Sequence, residues 1–269
     1  MAKFVPDITT RRWVVIAPGR VRRPKAKVGQ LQICPFCPGN ERLTPPEVSR
    51  IGPGAPNTQG WKVRVVPNKY PITDMHEVII HSPDHEKDLE ELPNEQVRLV
   101  LESFRSRYQA HSPHGNVLIF SNRGEEAGAS LSHPHSQLVV IPYQINLEAI
   151  TMEPQTNLVL ENTHFLVFCP DFSQWPYEVW IAPKRREVLF SQISDEEIFD
   201  LAKILQDVLM KLCKKFPDLQ YNLYIYHTKD WFLRIIPRLV YRAGFELGTG
   251  LSVNIVDPVD AAKELRELQ

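Results

Sequence analysis

Ser132-His133-Pro134-His135-Ser136-Gln137 runs into the apolar stretch Leu138-Val139-Val140-Ile141-Pro142, and the fold turns on how these eleven residues are read. The apolar part is continuous, rich in β-branched residues and closed by a proline, which predicts a buried strand. Side chains alternate along a strand, so His133, His135 and Gln137 share one face. Pro134 has no N–H to give a ladder and suits the start of a strand. Two imidazoles and an amide on one face of a core strand are costly to bury without partners. That cost marks the stretch as a candidate functional site rather than a pair of core histidines.

Outward from this strand, a chain of 269 residues can bury a sizeable core, as one large domain or two smaller ones. Hydrophobic content of 43% and charged content of 23% are ordinary for a globular protein. A formal net charge of -1 offers no electrostatic case for nucleic acid or a membrane surface, and neither is expected as a partner. No apolar stretch approaches the roughly 20 residues of a membrane helix. The first dozen residues carry charges and no signal-peptide core, so a cytoplasmic location is expected.

Of the four cysteines, Cys169 and Cys213 sit inside apolar patterns and read as core. Cys34-Pro35-Phe36-Cys37 is the close pair, and in a reducing compartment such a pair is a metal half-site or redox motif. Two thiolates at this spacing can share one tetrahedral zinc but need two further ligands. Spacing alone leaves His76, His81 and His85 open for one of them. Upstream, the strand Trp13–Ala17 precedes Pro18-Gly19-Arg20-Val21-Arg22-Arg23-Pro24, whose guanidinium groups suit phosphate oxygens. Residues 41–60 are rich in proline, glycine and polar side chains and read as a loop that could be mobile.

Strands are expected at residues 61–66, 76–81 and 116–120, with a helix starting near Leu92-Pro93-Asn94 and burying Val97, Leu101, Phe104 and Tyr108. The first half thus reads β-β-α-β-β. The second half echoes it: Tyr177–Lys184 matches residues 76–83, the helix start Ile193–Glu197 matches Leu92, and Asn222–Tyr226 matches Asn116–Phe120. Aligning Pro237 with Pro142 sets Thr228, Asp230 and Phe232 opposite His133, His135 and Gln137, none of them able to do the same chemistry. The expected architecture is α+β: two tandem repeats packed together, 1–150 carrying the chemistry and 151–269 degenerate. The tail Arg242–Gly250 is too glycine-rich for a core strand and reads as a shaped loop, followed by a capping helix from Asp257.

His133-Pro134-His135-Ser136-Gln137 resembles the histidine-triad motif in the His-Pro-His-x-Gln form of its nucleotidyltransferase branch. Asn122-Arg123-Gly124 through Gly128-Ala129-Ser130 is similar to the galactose-1-phosphate uridylyltransferase family, as are Cys34–Glu41, Pro67-Asn68-Lys69-Tyr70-Pro71 and Ser82-Pro83-Asp84-His85. The resemblance implies that His135 is the nucleophile, with Gln137 and Ser130 assisting at the phosphoryl oxygens. It implies a structural zinc held by Cys34, Cys37, His85 and His133. It places Arg20, Arg23, Asn68, Asn122 and Gly128 near the nucleotide, and Phe245 with Glu246 near the sugar, across a homodimer interface. A second metal found in some relatives is not expected, because Phe232 and Arg234 stand where histidines would be needed.

The chemistry implied is double displacement. A neutral imidazole attacks the α-phosphorus of a nucleoside diphosphate sugar, and the nucleotidyl group then passes to a second phosphate. The leading expectation is a UDP-glucose–hexose-1-phosphate uridylyltransferase taking a nucleoside diphosphate sugar and a hexose 1-phosphate. An ADP-sugar phosphorylase is the alternative. A dinucleoside polyphosphate enzyme is disfavoured by Gln137, and a non-catalytic nucleotide- or zinc-binding scaffold would require a vestigial motif.

Overall fold

The computed structural model describes residues 2–7, 13–22, 33–145, 147 and 156–268. In chain order the strands are β1 (Lys3–Pro6), β2 (Trp13–Ile16), β3 (Ser49–Ile51), β4 (Val63–Pro67), β5 (His76–Ile80), β6 (Asn116–Arg123) and β7 (His135–Ile141). They continue as β8 (Leu158–Glu161), β9 (Phe165–Phe168), β10 (Val179–Pro183), β11 (Tyr221–Ile225) and β12 (Leu233–Pro237). The helices are α1 (Asn94–His111), α2 (Asp195–Lys215), α3 (Gly244–Thr249) and α4 (Pro258–Glu267). β1 and β2 form a separate hairpin, and the other ten strands form one sheet in the order β3-β4-β5-β7-β6-β11-β12-β10-β9-β8. Every pairing in it is antiparallel.

Alternation along the strands gives the sheet two different faces. Val63, Val65, Ile79, Val117, Ile119, Leu138 and Val140 join Leu223, Ile225, Leu233, Ile235, Val179 and Ile181 in one core with the apolar sides of α1 and α2. α1 buries Val97, Leu101, Phe104 and Tyr108, the positions its helical spacing predicts. α2 starts on a capping box, with Glu197 N–H donating to Ser194 Oγ and Ser194 N–H to the Glu197 carboxylate, and ends on Lys214 and Lys215. Both helices lie on the same face, which leaves the other face, that of His135 and Gln137, for a site.

On that second face the two halves are filled differently. Phe36, Trp61, Val66, Val78 and Ile80 cluster beside β7 in the first half. In the second half Trp180 stacks on Phe232 at 3.8 Å and 5°, and Phe232 on Tyr226 at 4.8 Å, closing the space with aromatic rings. Glu178 and Arg234 form a buried pair beside them, and Arg234 Nη1 donates to the Tyr224 hydroxyl oxygen at 2.7 Å.

Three expectations are corrected. Matching residues 76–83 to Tyr177–Lys184 is out of register, because it pairs Val78, on the open face, with Val179, on the helix face. A one-residue slip exchanges faces in any strand. Residues 41–60 are not a bare loop: Glu41–Leu43 is a turn of 3-10 helix, β3 pairs with β4, and the Arg50 guanidinium donates to the carbonyls of Pro53, Ala55 and Thr58. The tail read as a loop contains α3, with Glu246 accepting from Ala243 N–H at its start. The capping helix is present as α4, started by Asp257.

Candidate active and metal site

The Cys34–Cys37 turn is built by local hydrogen bonds. Cys37 N–H reaches the Cys34 carbonyl, Asn40 Nδ2 donates to the same carbonyl at 2.8 Å, and Phe36 N–H points at Cys34 Sγ at 3.4 Å. Glu41 ties this turn to the sheet by accepting from Gly39 N–H at 3.0 Å and from Trp61 Nε1 at 2.9 Å. His85 arrives from the turn after β5 and His133 from the approach to β7.

These four side chains converge: the donor atoms of Cys34, Cys37, His85 and His133 all lie within 4.8 Å of one another. Cys37 Sγ is 3.2 Å from His85 Nδ1 and 3.7 Å from His133 Nδ1, and Cys34 Sγ is 3.8 Å from His133 Nδ1. A sulfur–nitrogen edge of a tetrahedral zinc site is about 3.6 Å, so the donor set fits such an ion. His133 is fully buried, and its Nε2 lies 2.9 Å from the Ser82 carbonyl. A carbonyl only accepts, so Nε2 carries the proton and Nδ1 presents its lone pair to the cluster. Burial holds the His133 imidazole down to about 4, which keeps it neutral. The Cys37 thiol is pushed up to about 11, first by burial and then by Cys34 beside it; a metal would displace that proton. His76 and His81, open on spacing, stand elsewhere, against Gln137 and Ser136.

His135 starts β7 and faces the opposite way from the core. Its Nδ1 is 2.8 Å from the His133 carbonyl, so Nδ1 holds the proton and Nε2 is the lone-pair nitrogen. Phe36 packs edge-on to His135 at 5.2 Å, linking the cysteine turn directly to this ring. A cavity of about 340 Å³ opens in front of them, within the range of a small-ligand site. Arg20, Asn68, Ser130, His135 and Gln137 line it, with Phe36, Val66, Val78 and Leu131 as apolar wall. Arg20 Nη1 donates to the Tyr70 carbonyl at 2.7 Å, anchoring the arginine turn to the cavity rim.

Not every expected residue meets here. Arg23 lies outside the described residues. Gly128 has φ +85, and its N–H donates to the Glu125 carbonyl while Ala129 N–H donates to Gly124, so these two amides close their own loop. Asn122 accepts from Asn222 Nδ2 at 2.9 Å, at the β6–β11 seam. Phe245 and Glu246 do not line the cavity, and Phe245 is exposed.

A family model for the N-terminal domain of galactose-1-phosphate uridyl transferase matches residues 72–143, the segment from before β5 to past β7. An ADP-glucose phosphorylase of Arabidopsis thaliana is 30% identical over 97% of this chain and 92% of its own length. The chain belongs to the galactose-1-phosphate uridylyltransferase family. A galactose-1-phosphate uridylyltransferase of Thermotoga maritima is 28% identical over 97% of this chain and 96% of its own. The solved structure of an ADP-glucose phosphorylase from Arabidopsis thaliana with bound ADP-glucose superposes with a TM-score of 0.79 at 28% identity, covering all of both chains.

Within this family member, three contacts of the motif had no signal in the sequence. His81 is buried, with Nε2 2.7 Å from Ser136 Oγ, and Ser136 in turn meets Ser121 across β6 and β7. His76 and Asn68 both contact Gln137 Oε1. Only strand register brings β4 and β5 residues against β7. Spacing along the chain does not encode it.

Proposed function

We propose that this protein is a nucleotidyltransferase that works by two displacements at His135 Nε2, acting on a nucleoside diphosphate sugar and a phosphate acceptor. The observation that carries this reading is the His135 tautomer. Its Nδ1–H is held by the His133 carbonyl, which leaves the lone pair on Nε2 of a ring that lines the cavity. In the first step Nε2 attacks the α-phosphorus, a P–N bond forms, and the P–O bond to the sugar phosphate breaks. In the second, a phosphate oxygen attacks the same phosphorus and the P–N bond breaks. Both leaving group and acceptor are phosphates, so little general acid–base help is needed, in keeping with glutamine at position 137. Gln137, Ser130 and Arg20 supply donors and positive charge to the phosphoryl oxygens, with Arg23 beside them in sequence. Asn68, on the cavity wall, shapes the nucleotide end, and Asn122 lines a small cleft beside it with His133 and His135.

Two readings of the substrate each have a specific support. Uridylyl transfer between hexose 1-phosphates is supported by the Thermotoga maritima relative, matched along nearly its whole length. Adenylyl transfer from an ADP-sugar to orthophosphate is supported by the Arabidopsis thaliana relative and by its ADP-glucose complex. Incubation with UDP-glucose plus galactose 1-phosphate, beside ADP-glucose plus orthophosphate, separates them by product. UDP-galactose and glucose 1-phosphate mark the first, ADP and glucose 1-phosphate the second. In either case His135→Ala is expected to form no covalent nucleotide adduct by intact-protein mass spectrometry, while keeping its metal content and its fold. A variant that still forms the adduct removes His135 from the role.

The rest of the molecule fits this reading. Zinc bound by Cys34, Cys37, His85 and His133 would brace the turn that carries Phe36 and the strand that carries His135. The halves 1–150 and 151–269 are tandem repeats of one plan, the second having filled its site with aromatic rings. In a cytoplasmic homodimer, α3 with Phe245 and Glu246 would approach the sugar in the partner's site. Among the described residues no helix is long and apolar enough to cross a membrane.

A further inference from the structure

His76 begins β5, is 4% exposed and does not line the cavity, yet it touches the Gln137 amide, which does. Its Nδ1 lies 2.9 Å from the Ile72 backbone N–H. A backbone N–H can only donate, so Nδ1 must accept and the proton sits on Nε2. That Nε2 is 3.0 Å from Gln137 Oε1. Asn68 reaches the same oxygen: its Oδ1 accepts from Tyr70 N–H at 2.8 Å, which fixes the amide so that Nδ2 faces Gln137 Oε1 at 3.3 Å. Two donors therefore converge on one amide oxygen, and both orientations are set by backbone N–H groups of the 68–72 turn.

The consequence is a choice of sign at the cavity. An amide whose oxygen already accepts twice can offer a ligand only its N–H groups. Turning the Gln137 amide over would set its NH2 against two donors, leaving buried polar groups unsatisfied at a cost of about 1–3 kcal/mol each. We propose that His76 is a positioning residue of this site: through Nε2–H it locks the Gln137 amide with its nitrogen toward the cavity, as a donor to the phosphoryl oxygens of a bound nucleotide. A glutamine free to turn would present either its oxygen, which repels those oxygens, or its nitrogen, which binds them. His76 removes the wrong state before substrate arrives, the preorganisation that makes an oxyanion donor effective.

This inference rests on the nucleotidyl-transfer reading and is tested within it. Single-turnover adduct formation is measured with UDP-glucose and with ADP-glucose for the wild type, His76→Phe, His76→Gln, Gln137→Ala and the double variant His76→Phe/Gln137→Ala. Phenylalanine keeps a ring and loses the donor. Glutamine restores an N–H near the place of Nε2. His76→Phe is expected to slow adduct formation about 10- to 100-fold, part of the effect of losing one oxyanion donor. Its affinity for the sugar nucleotide stays within about two-fold of wild type. His76→Gln regains most of the rate. In the Gln137→Ala background the same His76→Phe change costs less than about two-fold, because its target is gone. Equal slowing in both backgrounds, or no recovery with glutamine, overturns the inference and makes His76 a packing residue. An independent measurement needs no turnover: nitrogen-15 NMR of the wild type should show His76 protonated on Nε2 and bare on Nδ1. The opposite tautomer overturns the inference. A wild type that forms no adduct with either sugar nucleotide overturns the functional reading instead, and the tautomer then still decides the His76–Gln137 contact.

Discussion

His133 and His135 are two residues apart and made different by which ring N–H a backbone carbonyl accepts. Ser82 takes the Nε2 proton of His133, leaving Nδ1 for the metal cluster; His133 itself takes the Nδ1 proton of His135, leaving Nε2 for the cavity. Tautomer, not residue type, assigns the roles. At the same scale, Cys37 faces both histidines of the cluster, so Cys37→Ser should abolish the zinc binding proposed for it, read as metal per chain by atomic emission. Loss of a structural ion should also lower the melting temperature, on the order of 10 °C for a domain this size. Because burial and Cys34 raise the Cys37 thiol to about 11, metal must compete with a tightly held proton. Retention against a chelator should therefore fall as pH falls.

At the scale of elements, β5, β7 and the turn after β5 share a buried polar knot. His81 Nδ1 stands 3.9 Å from Asp88 Oδ1. Burial, then His135 and His133, pushes His81 down to about 3; burial, then Glu90, pushes Asp88 up to about 7. The signs oppose. Between about pH 4 and 6.5 the unfolded chain holds one proton on the histidine, and the folded chain holds one on the carboxyl. Proton counts match, so the pair adds no pH slope to stability in that window. Asp88→Asn breaks the match: only the unfolded state then binds the proton, on His81. Its stability should rise with pH from about 3 to 6.5, by up to about 1.4 kcal/mol per pH unit, where the wild type is flatter. Urea unfolding at several pH values measures it. A variant as flat as the wild type would mean that His81 is not held neutral in the fold.

At the scale of the molecule, the two halves meet in the middle of one sheet. β6 pairs with β11 from Ile119 to Arg123, and Asn122 and Asn222 bond across the seam. Behind it α1 and α2 share one apolar core, and Gln206 Nε2 donates to the carbonyls of Leu89 and Leu92. Halves joined by both ladder and core should unfold together. Calorimetry is expected to show one transition with matching calorimetric and van't Hoff enthalpies. Two resolved transitions would show that the halves are independent folding units.

The sequence by itself determined the strands and helices that carry the site and the ligand types. The continuous apolar run of residues 138–141 follows from burial on both faces of a central strand, and period 3.6 in residues 94–111 from burying one side of a helix, so both are written locally. The Cys34–Cys37 spacing and the His133–His135 alternation are local in the same sense. Tertiary structure alone decided which partners meet. It brought His85, the histidine the resemblance implied and spacing left open, into the metal cluster, set His76 and Asn68 on Gln137, and closed the amides of Gly128 and Ala129 within their own loop. It also corrected the match between halves, because an echo of residues 76–83 in Tyr177–Lys184 fits by composition yet exchanges the two faces of the sheet. The physical reason is common to all of these. Strand register and loop closure are fixed by contacts between segments distant in the chain, and a pattern within one segment carries no record of its neighbour.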